Sequence, residues 1–431
     1  MKNNRKNFGC LNSSVRITTK GNNVILSNLS NGKWFKLRKK NINLFNALNK
    51  EGVLQNCILS GLEHSEAIDF VDTLVFNNFL AFGDSPKLNK EKMLFEFQSA
   101  YIHVTNVCNL ACKHCYRDSH SKSEYGVDTG SLFIMIDRLK TAGVKFLVIA
   151  GGEPLLRRDI EELLKYINYK KFDSVTLLTN GTGITEKLAK LIASCIGSVH
   201  VSLDGPNEKV NAQIRGKGNF EKTISGIRKL KSAEVNKIKI ITCITSVNLS
   251  HMDEMLNIQK ELGVDLGTSI FAEVGRGSGY SFLKPNISEV ITYFKDKTVS
   301  LDCNPLTTDP NLLDISVGVT CGSGTYMISI DCFGNIFPCH LLHKQELKIG
   351  NILEQENLLE IIQKSSVIKR MKKRIVENRK CHGCSVEYFC KGGCLAHTIS
   401  ANKQSENPWI EKDPFCKVHK EILSLQLWED E

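Results

Sequence analysis

Between residues 100 and 272, six short apolar runs alternate with longer amphipathic ones, and this alternation narrows the fold more than any other feature. The strand-like runs are Ala100–Thr105, Lys145–Ala150, Ser174–Thr179, Ser198–Leu203, Ile238–Ile244 and Leu266–Ala272. Helical periodicity covers Gly130–Thr141, Arg158–Ile167, Thr185–Ser194, Asn219–Ala233 and Ser250–Leu262. Strands joined by helix-length crossovers pair in parallel, so an α/β protein is predicted. Ligands of parallel sheets sit at the carboxyl ends of the strands, which makes the residues just past those ends the place to look for chemistry.

The first run delivers Val107-Cys108-Asn109-Leu110-Ala111-Cys112-Lys113-His114-Cys115-Tyr116, with cysteines spaced C-x3-C-x2-C. Thiolates so spaced can wrap one face of a [4Fe–4S] cube and leave the fourth iron open. Zinc is the plain alternative for C-x2-C, but no partner pair lies nearby. The second run ends in Gly151-Gly152-Glu153-Pro154. Its glycines permit close approach to a ligand, and its carboxylate can accept from a cationic amine. The third ends in Thr179-Asn180-Gly181. The fourth ends in Ser202-Leu203-Asp204-Gly205, followed by Arg215-Gly216. Arg215 suits a carboxylate because a guanidinium pairs bidentately, although a strand-end turn with a surface Arg reads the same way. The sixth runs into Glu273-Val274-Gly275-Arg276-Gly277.

These strand-end motifs resemble the radical S-adenosylmethionine (SAM) superfamily. The resemblance implies a partial (β/α)6 barrel in which Cys108, Cys112 and Cys115 hold a [4Fe–4S] cluster whose open iron chelates SAM. Gly151, Gly152, Glu153 and Pro154 would then hold the SAM amino group, and Ser202 and Arg215 its carboxylate or ribose. One electron from the cluster would cleave SAM to a 5′-deoxyadenosyl radical, with flavodoxin or ferredoxin as donor. The family often has His four residues before this Arg; here it is Asn211, to which no role is assigned.

A second cysteine set follows as Cys321-x12-Gly334-x4-Cys339, a gap, then Cys381-x2-Cys384-x5-Cys390-x3-Cys394-x21-Cys416. It resembles the seven-cysteine SPASM extension, including Ile349-Gly350-Asn351-Ile352 in the gap. The resemblance implies that Cys381, Cys384, Cys390 and Cys416 close one auxiliary [4Fe–4S] cluster, and that Cys321, Cys339 and Cys394 hold three corners of another. That makes three clusters in all. Thr325, Tyr326 and Met327 stand where eight-cysteine members supply the missing ligand, so the fourth iron is open or takes Cys332. His340 stands where sulfatase-maturing relatives carry Asp, which argues against that activity.

The N-terminal stretch carries strand-like runs at Val15–Thr19, Val24–Ser27 and Trp34–Leu37, with an Asn31-Gly32 turn. Helical spacing follows at Ile42, Leu44, Phe45 and Leu48, stopped by Gly52, and again over Ser65–Asn77. This winged-helix-like order resembles the PqqD-like peptide-recognition element, which implies that a leader peptide adds a strand to the sheet edge. A DNA-binding winged helix and an inert packing domain are the alternatives. Residues 1–90 hold 13 Lys and Arg against 6 Asp and Glu, a net +7 out of the chain's +10, which suggests an acidic partner.

A chain of 431 residues is too long for one core. The expected units are 1–85 for peptide recognition, 97–300 for the barrel and 301–431 for the bridging region and SPASM domain. No apolar stretch suits a signal peptide or a membrane span, which points to the cytoplasm. Sixteen cysteines there call for metal or catalysis rather than disulfides. The resemblance thus implies a radical SAM/SPASM maturase acting on a ribosomally made precursor peptide with a leader. Its expected product is a sulfur-to-carbon thioether of the sactipeptide or ranthipeptide type. Carbon–carbon cross-linking on the same scaffold is one rival. An iron–sulfur DNA-binding regulator is another, but it would have no need of Glu153, Ser202 and Arg215, which argues against nucleic acid. No catalytic base is identified.

Overall fold

The computed structural model describes residues 8–21, 23–37, 63–82, 97–295 and 317–428. In chain order the strands are β1 Phe8–Leu11, β2 Val15–Lys20, β3 Asn23–Asn28, β4 Trp34–Leu37, β5 Leu80–Phe82, β6 Ser99–His103, β7 Phe146–Ala150, β8 Ser174–Thr179, β9 Ser198–Ser202, β10 Lys237–Ile244, β11 Asp265–Ile270, β12 Met327–Ile330, β13 Asn335–Phe337 and β14 Gly350–Asn351. Strands β6 to β11 lie side by side in chain order and every neighbouring pair is parallel. Helices Thr129–Thr141, Ile160–Tyr169, Glu186–Cys195, Phe220–Ser232 and Met252–Leu262 make the crossovers. A short helix, Glu208–Arg215, precedes Phe220–Ser232; the periodicity did not reveal it because its apolar content is low.

Alternate residues of the strands serve two interiors. One face carries Ile102, Ile149, Leu177, Val201 and Ile240 into the core beneath the helices. The other carries Tyr101, Val148 and Ala150, with the fully buried His103 at the end of its row. Strand β12 extends this sheet by pairing in parallel with β6, Met327 opposite Ser99 and Ile330 opposite Ile102. Strands β13 and β14 then add antiparallel. The C-terminal cysteine region is therefore continuous with the parallel sheet, and Cys339 follows two residues after β13.

The N-terminal sheet has the order β2-β3-β4, antiparallel throughout, and β1 pairs with β5 beyond the helix His64–Phe76. Of the expected winged-helix-like module only this part is described: the helical spacing at Ile42–Leu48, the Arg38–Lys40 charges and residues 83–96 lie outside the described residues. Strand β3 has the continuous apolar run Val24-Ile25-Leu26 because both of its faces are covered. Val24 and Leu26 pack on Ala67, Val71 and Leu74 of the helix. Ile25 and Leu29 pack instead with Val317, Val376, Val386, Tyr388, Phe389, Leu427 and Trp428 of the C-terminal region. Trp34 meets Phe389 edge-on at 5.5 Å, and the Val317 N–H donates to the Gly32 carbonyl at 2.9 Å. This sheet shares a core with the cysteine-rich domain.

That shared core makes a prediction. Ile25 is fully buried, so Ile25→Ala should destabilise the whole chain by about 3 kcal/mol. Urea denaturation followed by C-terminal Trp fluorescence would read it. An unchanged midpoint would mean that the N-terminal sheet is energetically separate.

Candidate active site and thiol sets

The loop after β6 has little regular backbone pairing of its own, so neighbouring strand ends must hold it. Gly152 N–H donates to the Thr105 carbonyl at 2.7 Å and Glu153 N–H to the Val107 carbonyl at 2.8 Å. A Cβ on Gly152 would come within 2.3 Å of the Val107 carbonyl, and one on Gly151 within 2.5 Å of the Thr105 carbonyl. Glycine is required here by the cysteine loop itself; sequence alone suggested a ligand as the close neighbour. On the opposite side Arg276 clamps the loop. Its Nη1 donates to the Cys112 carbonyl (3.0 Å), its Nη2 to the Ser119 carbonyl (2.8 Å), and its Nε pairs with Asp118 (2.8 Å). Lys113 N–H donates to the Ile214 carbonyl, which ties the loop to the helix after β9.

Glu153 is buried, and its carboxylate accepts from Thr179 Oγ1 and Asn180 N–H, both at 2.7 Å. Burial pushes its pKa up against the pull of these hydrogen bonds. The Asn180 amide continues to Asn109 Oδ1 at 2.9 Å and approaches Cys108 Sγ at 3.9 Å. Pro154 is buried in the turn that follows Glu153. Ser202 is half-buried at the end of β9.

Asp204 organises the far side of the loop. Its fully buried carboxylate pairs with Arg215 Nε at 2.6 Å and His114 Nε2 at 3.2 Å, and accepts from Cys243 N–H at 2.7 Å. Arg215 Nη1 then lies 3.9 Å from Cys112 Sγ. Asn211 holds this turn: its Oδ1 accepts from Asp204 N–H at 3.0 Å, and its amide donates to Asn219 at 2.7 Å. Sequence reasoning quoted Asp204, Asn180 and Arg276 within their motifs without giving them a role, and passed over His114. Their partners come from other strand ends, which local spacing does not reveal.

Burial pushes the thiols of Cys108 and Cys112 up to about 12 and about 11, the latter in spite of Arg215. As bare thiols they would stay protonated at neutral pH, and a bound cation is what makes a buried thiol a thiolate. The polar hydrogens nearest them, from Leu110 N–H, Asn180 and Arg215, face the sulfurs. That donor arrangement fits an anionic iron–sulfur group.

The C-terminal cysteines separate into two sets. Cys381, Cys384, Cys390 and Cys416 line a single cavity with Gly392, Lys412 and Asp413. Cys321, Cys339 and Cys394 form the other set, each within electrostatic reach of the others. Cys332 is with neither. It is fully buried in the turn between β12 and β13, its side chain against Gly126 and its carbonyl accepting from Val127 N–H. The possibility that Cys332 completes the three-cysteine set is therefore not met in this structure. Of the remaining cysteines, Cys195 and Cys243 are half-buried, Cys57 and Cys303 lie outside the described residues, and the Cys10 side chain is not described.

The sequence profile of the radical SAM superfamily matches residues 102–258, and that of an iron–sulfur cluster-binding domain, SPASM, matches residues 321–385. The chain is 29% identical over 323 residues to the mycofactocin maturase MftC of Mycolicibacterium smegmatis, covering 73% of this chain and 81% of that one. It is 30% identical over 210 residues to a probable GTP 3′,8-cyclase of Methanocaldococcus jannaschii, covering 48% of this chain and 70% of that protein. The crystal structure of SuiB from Streptococcus suis bound to S-adenosylmethionine shares the fold, with a TM-score of 0.60 at 18% identity over 95% of this chain and 100% of that one. The same protein has been seen bound to precursor peptide SuiA. These domains imply SAM and iron–sulfur clusters.

Arg276 provides the test of the clamp. Arg276→Ala removes three contacts to the cysteine loop and should lower iron retention by that loop about 10- to 100-fold, as loss of outer-shell partners does elsewhere. Arg276→Lys cannot replace the fork and should not restore it. Iron content against chelator concentration would measure both. Full retention in the Ala variant would show that the loop holds its shape unaided.

Proposed function

Because the chain belongs to the radical SAM superfamily, we propose that it matures a ribosomally made precursor peptide by forming an intrapeptide sulfur-to-carbon thioether. The observation that carries the reading is the division of ten cysteines into three sets, one at the strand ends and two in the C-terminal domain. One of the latter is short of a fourth cysteine. We assign one [4Fe–4S] cluster to each set. The likeness to a mycofactocin maturase supports a peptide as substrate.

When bound, the strand-end cluster and SAM together supply a 5′-deoxyadenosyl radical. The chain's own residues orient and enclose them. Cys108, Cys112 and Cys115 hold the cluster, and Arg276 with Gly151 and Gly152 fixes the loop that carries them. Glu153 and Pro154 would hold the SAM amino group. Glu153 is already oriented by Thr179 and Asn180, so little ordering is left to do on binding. Ser202 and the Nη edge of Arg215 would meet the carboxylate or ribose, with Asp204 holding Arg215 through its Nε. The buried Tyr101 and His103 lie on the inner face of the sheet. An electron donor of the flavodoxin or ferredoxin type is required.

The N-terminal sheet is assigned to the leader peptide. Among the described strands β4 is an edge, with Trp34 turned to Phe389 and Phe35 to Phe70 at 6.0 Å. A leader strand added there would lie between the helix His64–Phe76 and the cysteine-rich domain. Lys36, Arg38, Lys39 and Lys40 would attract its acidic residues. Removing residues 1–85 would expose Val386, Tyr388 and Phe389, so charge reversal is the cleaner test. Replacing these four residues with Glu should leave iron and SAM cleavage unchanged and reduce processing of the precursor, most strongly at low salt.

Anaerobically reconstituted protein should carry about twelve irons, from three cubes of four. Replacing Cys108, Cys112 and Cys115 together with Ala should remove about four and abolish SAM cleavage. Co-expression with the precursor should yield a peptide that has lost hydrogen pairs and whose linked cysteines no longer react with iodoacetamide. Hydrogen loss with every thiol still reactive would overturn the thioether in favour of a carbon–carbon link. Zinc in place of iron would overturn the whole reading.

A further inference from the structure

Two buried arginines stand between the C-terminal thiol sets, and neither has an acidic partner among the described residues. Arg374 and Arg379 are each 4% exposed. Arg374 Nη1 donates toward Cys321 Sγ at 3.7 Å, while its Nε and Nη2 find no hydrogen-bond acceptor among the described residues. Arg379 spends Nη1 on the Gly392 carbonyl and Nη2 on the Glu411 carbonyl at 2.7 Å, and its Nε has none. A Cβ on Gly392 would overlap the Arg379 guanidinium, so the chain keeps that position small to admit it. Arg379 is within electrostatic reach of Arg374, Cys381, Cys321 and Cys390. Arg374 thus belongs to the three-cysteine set, and Arg379 reaches both sets.

Two neighbouring guanidiniums in a dry interior repel each other, and each has lost its water. Such a pair persists only where negative charge compensates it. Among the described residues no carboxylate pairs with either. The thiols supply that charge once they are thiolates on iron, since a thiolate-ligated cube is net anionic. A positive charge and an N–H directed at cluster sulfur both favour the reduced, more negative form, and these are among the factors that set cluster potentials.

We propose that Arg374 and Arg379 form an electrostatic bridge between the two auxiliary clusters, offsetting their charge and raising both reduction potentials. Arg374 acts on the cluster of Cys321, and Arg379 acts on both. They are positioning residues that work through the thiolates. The inference rests on the three-cluster reading above.

Redox titration of the full-length, reconstituted protein, followed by electron paramagnetic resonance, tests it with the variants Arg374→Met, Arg374→Lys and Arg379→Met. Arg374→Met should move one auxiliary midpoint to more negative potential, and Arg379→Met should move both. Arg374→Lys should stay close to wild type. Should Arg374→Met fail to hold its cluster, retention of iron by Arg374→Lys would still uphold the charge requirement. Unchanged midpoints in both Met variants, or equal iron loss in Lys and Met variants, would overturn the bridge. About four irons in the wild type would instead sink the three-cluster reading.

Discussion

A thiolate is expensive in a dry interior, and this chain gathers buried or half-buried cysteines in three places. Burial alone keeps such sulfurs protonated, as it does at Cys108, Cys112 and Cys339, where it pushes the pKa to between about 11 and about 12. A guanidinium beside the sulfurs works against this: Arg215 by Cys112, Arg374 by Cys321, and Arg379 among Cys381, Cys321 and Cys390. At Cys321 it prevails, and the thiol is held below its ordinary value. Arginine suits the task because it stays charged, is weakly hydrated and presents several N–H groups in a plane. The sites differ in what balances the arginine. Asp204 neutralises Arg215 directly, whereas among the described residues Arg374 and Arg379 have no carboxylate partner and lie beside the cysteines.

Much of the parallel sheet was legible in the sequence because its signals are local. Apolar runs at strand length and helices at 3.6-residue period set each of the predicted elements within two residues of where it lies. The cysteine spacings likewise separated the loop at Cys108–Cys115 from the C-terminal sets. Less legible were the contacts that depend on parallel register. Asp204 meets His114 and Arg215 only because β9 ends beside the cysteine loop, and Arg276 reaches Cys112 from the strand farthest along the sheet. Nothing in the residues Met327–Ile330 announces that this strand will join β6 in parallel. The same blindness left Cys332 open as a ligand, since its position against Gly126 follows from where the β12–β13 turn lands.

The N-terminal sheet is where local reading left the context open. Val24-Ile25-Leu26 reads as one strand of the unit expected over residues 1–85. Its uninterrupted apolar character records two buried faces, one on the helix His64–Phe76 and the other on the cysteine-rich domain. The ion pair of Arg16 with Glu377, at 3.9 Å and part-exposed, adds little to the attachment beside that apolar area.

These packings place the parts in a row. Cys384 and Cys390 lie against the core that includes Ile25 and Trp34, so the four-cysteine set borders the N-terminal sheet. Arg379 and Arg374 follow, and then the three-cysteine set. Cys339 and Cys394 pack with Tyr116 and Val274, which belong to the loop of Cys115 and the loop of Arg276. His340, next to Cys339, stacks on Tyr101 of the inner barrel face at 4.5 Å. The set short of a fourth cysteine is therefore the one that packs against the cysteine loop and the inner face of the sheet, and the complete set packs against the N-terminal sheet. On the proposed reading this order matches the chemistry each set can offer. A centre able to take a substrate sulfur must adjoin the site where the radical is made, while a fully ligated centre can only pass an electron on. A peptide anchored on the N-terminal sheet would have to run past the second to reach the first.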